Sequence, residues 1–179
     1  MLSLLMIGLC VVLRVIPHPA NFAPVGATAV FAGRTLSPMR ALGILFGLML
    51  LSDALLAFIY DYPVMTLATP FVYGGFAIQM LCGRWLRSQR GGALAATFFG
   101  SVLFFLISNL GVWVDGHLYA WTFSGLVSCY AAALPFFRNT LLGDLFWIVA
   151  LTFSYEWIAA LVRRVNQRHG VEIESLGSL

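Results

Sequence analysis

The chain has 179 residues, of which 61% are hydrophobic and 9% charged, against roughly 45–50% and about 25% in an ordinary soluble domain. A domain of this size has too much surface for its volume to hide that apolar excess in one core, so a water-soluble globule is excluded and the excess faces lipid. All ten cations are arginine, and a net charge of +3 spread over short loops reads as membrane orientation, with no nucleic-acid surface indicated.

Residues 1–16 form an apolar opening stretch. It has no basic flank, and Pro17-His18-Pro19 is a poor cleavage site, so a retained first helix is expected in place of a signal peptide. After a break at 17–21, residues 22–36 make a second apolar stretch, short for a span and bounded by Arg34, Pro38 and Arg40. A third, 41–60, is interrupted only by Asp53. The fourth, 63–83, is uncharged and stops at Arg84, Arg87 and Arg90, and the fifth, 93–113, falls in another uncharged window. Beyond it, 118–137 and 141–162 are both apolar enough to be embedded, and hydropathy alone counts seven spans.

Charge placement decides the count. With the amino terminus inside and five helices before residue 115, Arg34, Arg40, Arg84, Arg87 and Arg90 fall on the cytoplasmic side. Asp61 and Asp115 fall outside. Arg163, Arg164 and Arg168 join the other arginines only if one span, 141–162, lies between. The expected fold is therefore all-α: one integral membrane domain of six transmembrane helices, with an outer loop after helix one and a partly helical outer segment over 116–139. The tail 163–179 and both termini are cytoplasmic in this reading. Arg14 and Arg138 break the bias, either as snorkelling side chains or as functional groups.

An ionisable residue inside the membrane costs about 2.5–3.5 kcal/mol on insertion scales and usually faces a cavity or a partner. Asp53 meets that description, as a pocket group or as a hydrogen-bonding partner for a neighbouring helix. Thr66, Thr69 and Tyr73 share a stripe at helical spacing, with Gln79 deeper. The proline-rich loop Pro17-His18-Pro19-Ala20-Asn21-Phe22-Ala23-Pro24-Val25-Gly26 is stiff and offers His18 and Asn21 at the outer face, as a preset capture loop or as a plain connector. Ser108-Asn109-Leu110-Gly111-Val112-Trp113 closes helix five. Arg138-Asn139-Thr140 opens helix six, with Asn139 or Thr140 as N-cap and Asp144 complementing that helix's dipole. Trp113, Tyr119, Trp121, Phe123, Tyr130, Phe136 and Phe137 form either an interfacial belt or a pocket wall. Gly43-x-x-x-Gly47 and Ala96-x-x-x-Gly100 provide small faces for helix packing.

No GxxxxGK[ST], HExxH or GxSxG occurs, so no ATPase, zincin or triad chemistry is expected. Cys10, Cys82 and Cys129 have no metal or disulfide spacing, and no cofactor is expected.

The Pro17–Ala27 string, Ser52-Asp53, Ser108–Trp113, and Cys129-Tyr130 followed by Pro135–Asp144 resemble the substrate-binding S-components of energy-coupling-factor (ECF) vitamin transporters, most closely the BtuM-type cobalamin branch. The resemblance implies a bacterial inner-membrane protein that captures a vitamin, with cobalamin leading, in an outward-facing pocket. The partner it implies is a coupling subunit with two ATPases. It carries His18, Asp53, Tyr73 and Arg138 over as pocket residues, with Asn21, Asn109 and Trp113 beside them. Two features depart from the family pattern. Residues 1–16 contain no alanine where S-components often carry Ala-x-x-x-Ala for docking, which leaves room for a solitary transporter. Thr66 stands where the cobalamin branch uses a cysteine. Two other classes remain open on the residues alone: an intramembrane enzyme acting on a lipid or cofactor, and a structural or assembly subunit.

Overall fold

Proline, glycine and two left-handed residues divide the chain into helices. The computed structural model describes residues 2–15, 21–61, 63 and 65–176, and among these it contains six helices and no strand. They are α1 (Leu2–Val15), α2 (Val25–Thr35), α3 (Pro38–Tyr60), α4 (Thr69–Trp85), α5 (Gly92–Asp115) and α6 (Phe123–Leu176). Pro38 and Pro70 sit in the first turns of α3 and α4, where a missing N–H costs no helical bond. Asp61 (φ 52°) ends α3, and Gly91 (φ 68°) and Gly116 (φ 73°) bracket α5, each in the left-handed region that stops a helix from propagating.

Three helices are long and apolar enough to cross a membrane: α3, α5 and the Phe123–Val165 part of α6. The other three are shorter. The 11 residues of α2 extend only about 16 Å at 1.5 Å per residue, roughly half a hydrocarbon core. The expected fourth stretch begins as helix only at Thr69, so Thr66 precedes α4. Its backbone N–H donates to Thr69 Oγ1 at 2.9 Å and its hydroxyl accepts from Ala68 N at 3.2 Å.

The largest correction concerns the last third of the chain. The helix start expected at Arg138-Asn139-Thr140 does not exist: α6 runs without interruption from Phe123 through Pro135 and on into the tail as far as Leu176. Thr140 Oγ1 donates to the Phe136 carbonyl at 3.0 Å, a bond inside a continuing helix and no N-cap. Proline at 135 forfeits one backbone bond but does not end the helix.

Helix α2 is the axis of the bundle. Every residue from Val25 to Gly33 is buried, and α2 packs against all five other helices. Small side chains make this possible, because a helix wrapped on all sides must let its neighbours come close. Two glycines set the tightest approach: a Cβ on Gly33 would collide with the Met80 carbonyl of α4, and one on Gly83 with the Val30 carbonyl of α2. At the same end Arg34 donates to the carbonyls of Leu86 (2.9 Å) and Arg87 (3.2 Å), satisfying acceptors that the end of α4 leaves open. At the opposite end Asp115 accepts from Leu67 N and pairs with His117, both at 2.9 Å, tying the start of α4 to the end of α5.

Of the two small-residue motifs, one packs within the chain. Ala96 is buried and Gly100 lies against Gln79, whereas Gly43 and Gly47 are exposed, with open space where a side chain would be. Gly33→Ala and Gly83→Ala are each expected to lower the stability of the purified protein in detergent by about 1–3 kcal/mol, as overpacking against backbone does. Gly43→Ala should leave it unchanged or raised. Thermal unfolding of the three variants followed by circular dichroism checks the contrast.

Candidate functional site

Because α2 starts inside the bundle, its first N–H groups have no carbonyls beneath them. The residue that precedes it, Pro24, supplies no side-chain cap. The missing acceptor comes from another helix. Asp144 of α6 points its carboxylate at the start of α2, and Oδ1 accepts from the Ala27 N–H at 3.1 Å. Oδ2 accepts from Ser101 Oγ of α5 at 2.6 Å and from Gln79 Nε2 of α4 at 3.1 Å. Asp144 and Gln79 are buried. Gly26 leaves room for the group, since a Cβ there would overlap the carboxylate.

Around this carboxylate lies a cavity of about 370 Å3. Its wall is built from Asn21, Ala23, Val25 and Gly26 at the entry to α2, Val72 and Phe76 of α4, and Phe104, Phe105, Ser108 and Asn109 of α5. Ala133, Phe136, Phe137, Thr140 and Asp144 of α6 complete it. Phenyl rings dominate, and they are braced against one another: Phe76 and Phe104 have centroids 4.5 Å apart, Phe105 and Phe137 4.7 Å. The segment entering α2 is held in place by Trp147, whose Nε1 donates to the Phe22 carbonyl at 3.0 Å, and by Thr28, whose hydroxyl donates to the Pro24 carbonyl at 2.7 Å. Asn21 adopts φ 60°, a left-handed conformation that asparagine tolerates better than most residues.

The cavity occupies the half of the bundle away from Arg34 and Arg87, formed by the N-terminal parts of α4 and α6 and the C-terminal part of α5. A short central helix leaves such a space: beyond the start of α2, the longer neighbours continue around an unfilled axis.

Of the residues singled out from sequence, Asn21 and Asn109 line the cavity. Asn109 Nδ2 is turned onto the Phe105 carbonyl at 2.8 Å. Asp53 and Tyr73 are brought together, with the tyrosine hydroxyl donating to Asp53 Oδ2 at 2.8 Å, but they join α3 to α4 and are not among the residues lining the cavity. Trp113 donates from Nε1 to the Ala120 carbonyl at 3.0 Å and stitches the α5–α6 connection. Arg138 is exposed on α6. His18 lies outside the described residues. The outer aromatics divide: Phe136 and Phe137 are cavity wall, while Trp121 and Phe123 are exposed.

Sequence reasoning missed Phe76, Phe104, Phe105 and the Gln79–Ser101–Asp144 cluster as a unit. The usable signal was polar side chains at Gln79, Ser101 and Asp144 in three otherwise apolar helices. Asp144 was assigned to the dipole of its own helix; it complements a helix N-terminus, but that of α2, 117 residues earlier.

The fold and site define an all-helical chain, with helices fit for a membrane, enclosing a ligand-sized aromatic cavity with a buried acid at its floor. It belongs to the DUF6580 family, a family of unknown function, whose model matches residues 1–167. No curated protein and no solved structure matches it.

Removing the shared acceptor strands three buried donors, each at about 1–3 kcal/mol. Asp144→Ala is therefore expected to destabilise the bundle by several kcal/mol, whereas Asp144→Asn, which keeps an oxygen toward Ala27, should cost less. Tyr73→Phe, which removes one part-buried bond, should cost only about 1 kcal/mol. Chemical unfolding in mixed micelles ranks the three.

Proposed function

We propose that this protein is the membrane-embedded substrate-binding component of an uptake transporter, and that the cavity captures a small, partly apolar molecule of the vitamin class. The observation that carries the reading is the cavity itself: about 370 Å3, within the range of small-molecule sites, apolar and aromatic with a few convergent polar groups. In this reading the chain crosses the bacterial inner membrane six times. Arginines mark the cytoplasmic side, so the cavity belongs to the outer half, where a capture component needs it. The resemblance to S-components supports the same assignment.

The dimensions also bear on the substrate. Cobalamin, with its corrin ring and nucleotide arm, is larger than this space, and Thr66 lies before α4 without a thiol to offer cobalt. Cobalamin, the leading candidate by resemblance, would extend beyond the cavity's open side, whereas a smaller vitamin would lie within it. Energy for transport comes either from a coupling subunit with two ATPases or, for a solitary carrier, from the substrate gradient.

The test is binding. Full-length protein in lipid nanodiscs, titrated calorimetrically with a panel of vitamins and their precursors, is expected to bind one of them. Phe105→Ala, which removes a wall ring, should weaken that binding about tenfold or more, on the scale of one lost phenyl contact. If no member binds, or if the bound member is indifferent to Phe105→Ala, the assignment fails.

A further inference from the structure

The wall of the cavity has a charge character that its size does not reveal. Among the described residues lining it, Asp144 is the one ionisable side chain. Its carboxylate has room for about four hydrogen bonds and receives three, from Ala27 N, Gln79 Nε2 and Ser101 Oγ. All three donors are neutral, and no cationic side chain among the described residues pairs with it. The N-terminus of α2 contributes the equivalent of about half a positive charge, which against a full negative charge leaves the floor of the cavity net negative. A buried charge of this kind is ordinarily matched by a partner, and Asp144 is itself among the residues lining the cavity.

The remaining wall is rich in aromatic rings. Phe76, Phe104, Phe105, Phe136 and Phe137 surround the space, and the faces of phenyl rings carry the negative part of the aromatic quadrupole. Rings at such a site attract a desolvated cation, most of all an alkylated ammonium whose hydration is weak. An anion would meet the carboxylate unfavourably.

The geometry points to an organic cation as the ligand: a compact molecule bearing a substituted ammonium or a comparable heteroaromatic cation, its positive group directed toward Asp144 and its apolar body among the phenyl rings. This assignment rests on the reading of the cavity as a substrate site and narrows the class of substrate it takes. Asp144 has two roles here, holding the start of α2 through Oδ1 and presenting negative charge to the ligand. Gln79 and Ser101 position the carboxylate and leave it charged, since each donates a hydrogen bond without adding a positive charge.

A charge series tests this without requiring a variant. Benzylammonium, benzyl alcohol and benzoate are similar in size and differ in charge at neutral pH. Titrated into full-length protein in nanodiscs of zwitterionic lipid, with empty nanodiscs correcting for partition into the bilayer, benzylammonium is expected to bind about tenfold or more tighter than the other two, the scale of a desolvated cation–ring and ion-pair interaction. Asp144→Asn, close in shape, should bring benzylammonium and benzyl alcohol to within about threefold of each other. If Asp144→Asn does not fold, Phe105→Leu serves in its place. Removing one ring face should then narrow the preference for the cation over the alcohol, where a merely steric role would weaken both alike. Benzyl alcohol or benzoate binding as tightly as benzylammonium overturns the cation assignment, and so does binding by none of the three. A neutral or anionic vitamin that binds and responds to Phe105→Ala would leave the substrate-site reading standing while the cation assignment falls; failure of the whole vitamin panel would remove the reading beneath it.

Discussion

Four of the six helices meet at one carboxylate. An ionised acid in a low-dielectric interior costs several kcal/mol even after relaxation, and the bundle offsets that cost through the Ala27 N–H of α2, Gln79 of α4 and Ser101 of α5, together with the dipole of a helix that begins beside it. The dependence runs both ways. Without Asp144 the start of α2 would leave a buried N–H with no acceptor, and without the start of α2 the acid would lose its one backbone donor. Gly26 and the close α2–α4 crossing at Gly33 and Gly83 follow, because only an absent side chain lets the elements approach closely enough.

The cavity is the other consequence of a short central helix. An 11-residue α2 fills the axis over one part of the bundle, while α4, α5 and α6 continue past its beginning. What lies above is walled by rings braced in pairs, Phe76 on Phe104 and Phe105 on Phe137, and such bracing limits the reorganisation a ligand would have to induce. The feature that stabilises the fold therefore also forms the floor of the site, so stability and binding are coupled at a single residue. A substitution at Asp144 touches both, whereas changes at Phe105 or Phe136 touch chiefly the wall.

Much of this architecture was legible in the sequence. The bounds of α3 and α5 follow from Pro38, Asp61, Gly91 and Gly116 flanking apolar windows, and Arg34 and Arg87 do gather at one end. The central place of α2 was not legible, because hydropathy cannot distinguish a helix surrounded by lipid from one surrounded by other helices. Its run of Gly26, Ala27, Ala29, Ala32 and Gly33 is the trace that burial leaves. The start of α6 was misplaced because Arg138-Asn139-Thr140 has the composition of a helix cap, yet helical neighbours on both sides override that local preference. Asp144 carried the right physics to the wrong helix, since no local pattern identifies a partner so far away in the chain. Asp53 and Tyr73, expected as pocket groups, instead share a bond that joins two helices.

The central claim is that Asp144 is an anion held by neutral donors at the floor of the cavity. Infrared difference spectroscopy at neutral pH between the wild-type protein and Asp144→Asn reads that state directly. The account predicts that the wild type carries an additional carboxylate stretch, absent from the variant, and no additional carbonyl stretch of a protonated carboxylic acid. A protonated-acid band belonging to Asp144 would contradict it, for the floor of the cavity would then be neutral and would offer no charge to a ligand.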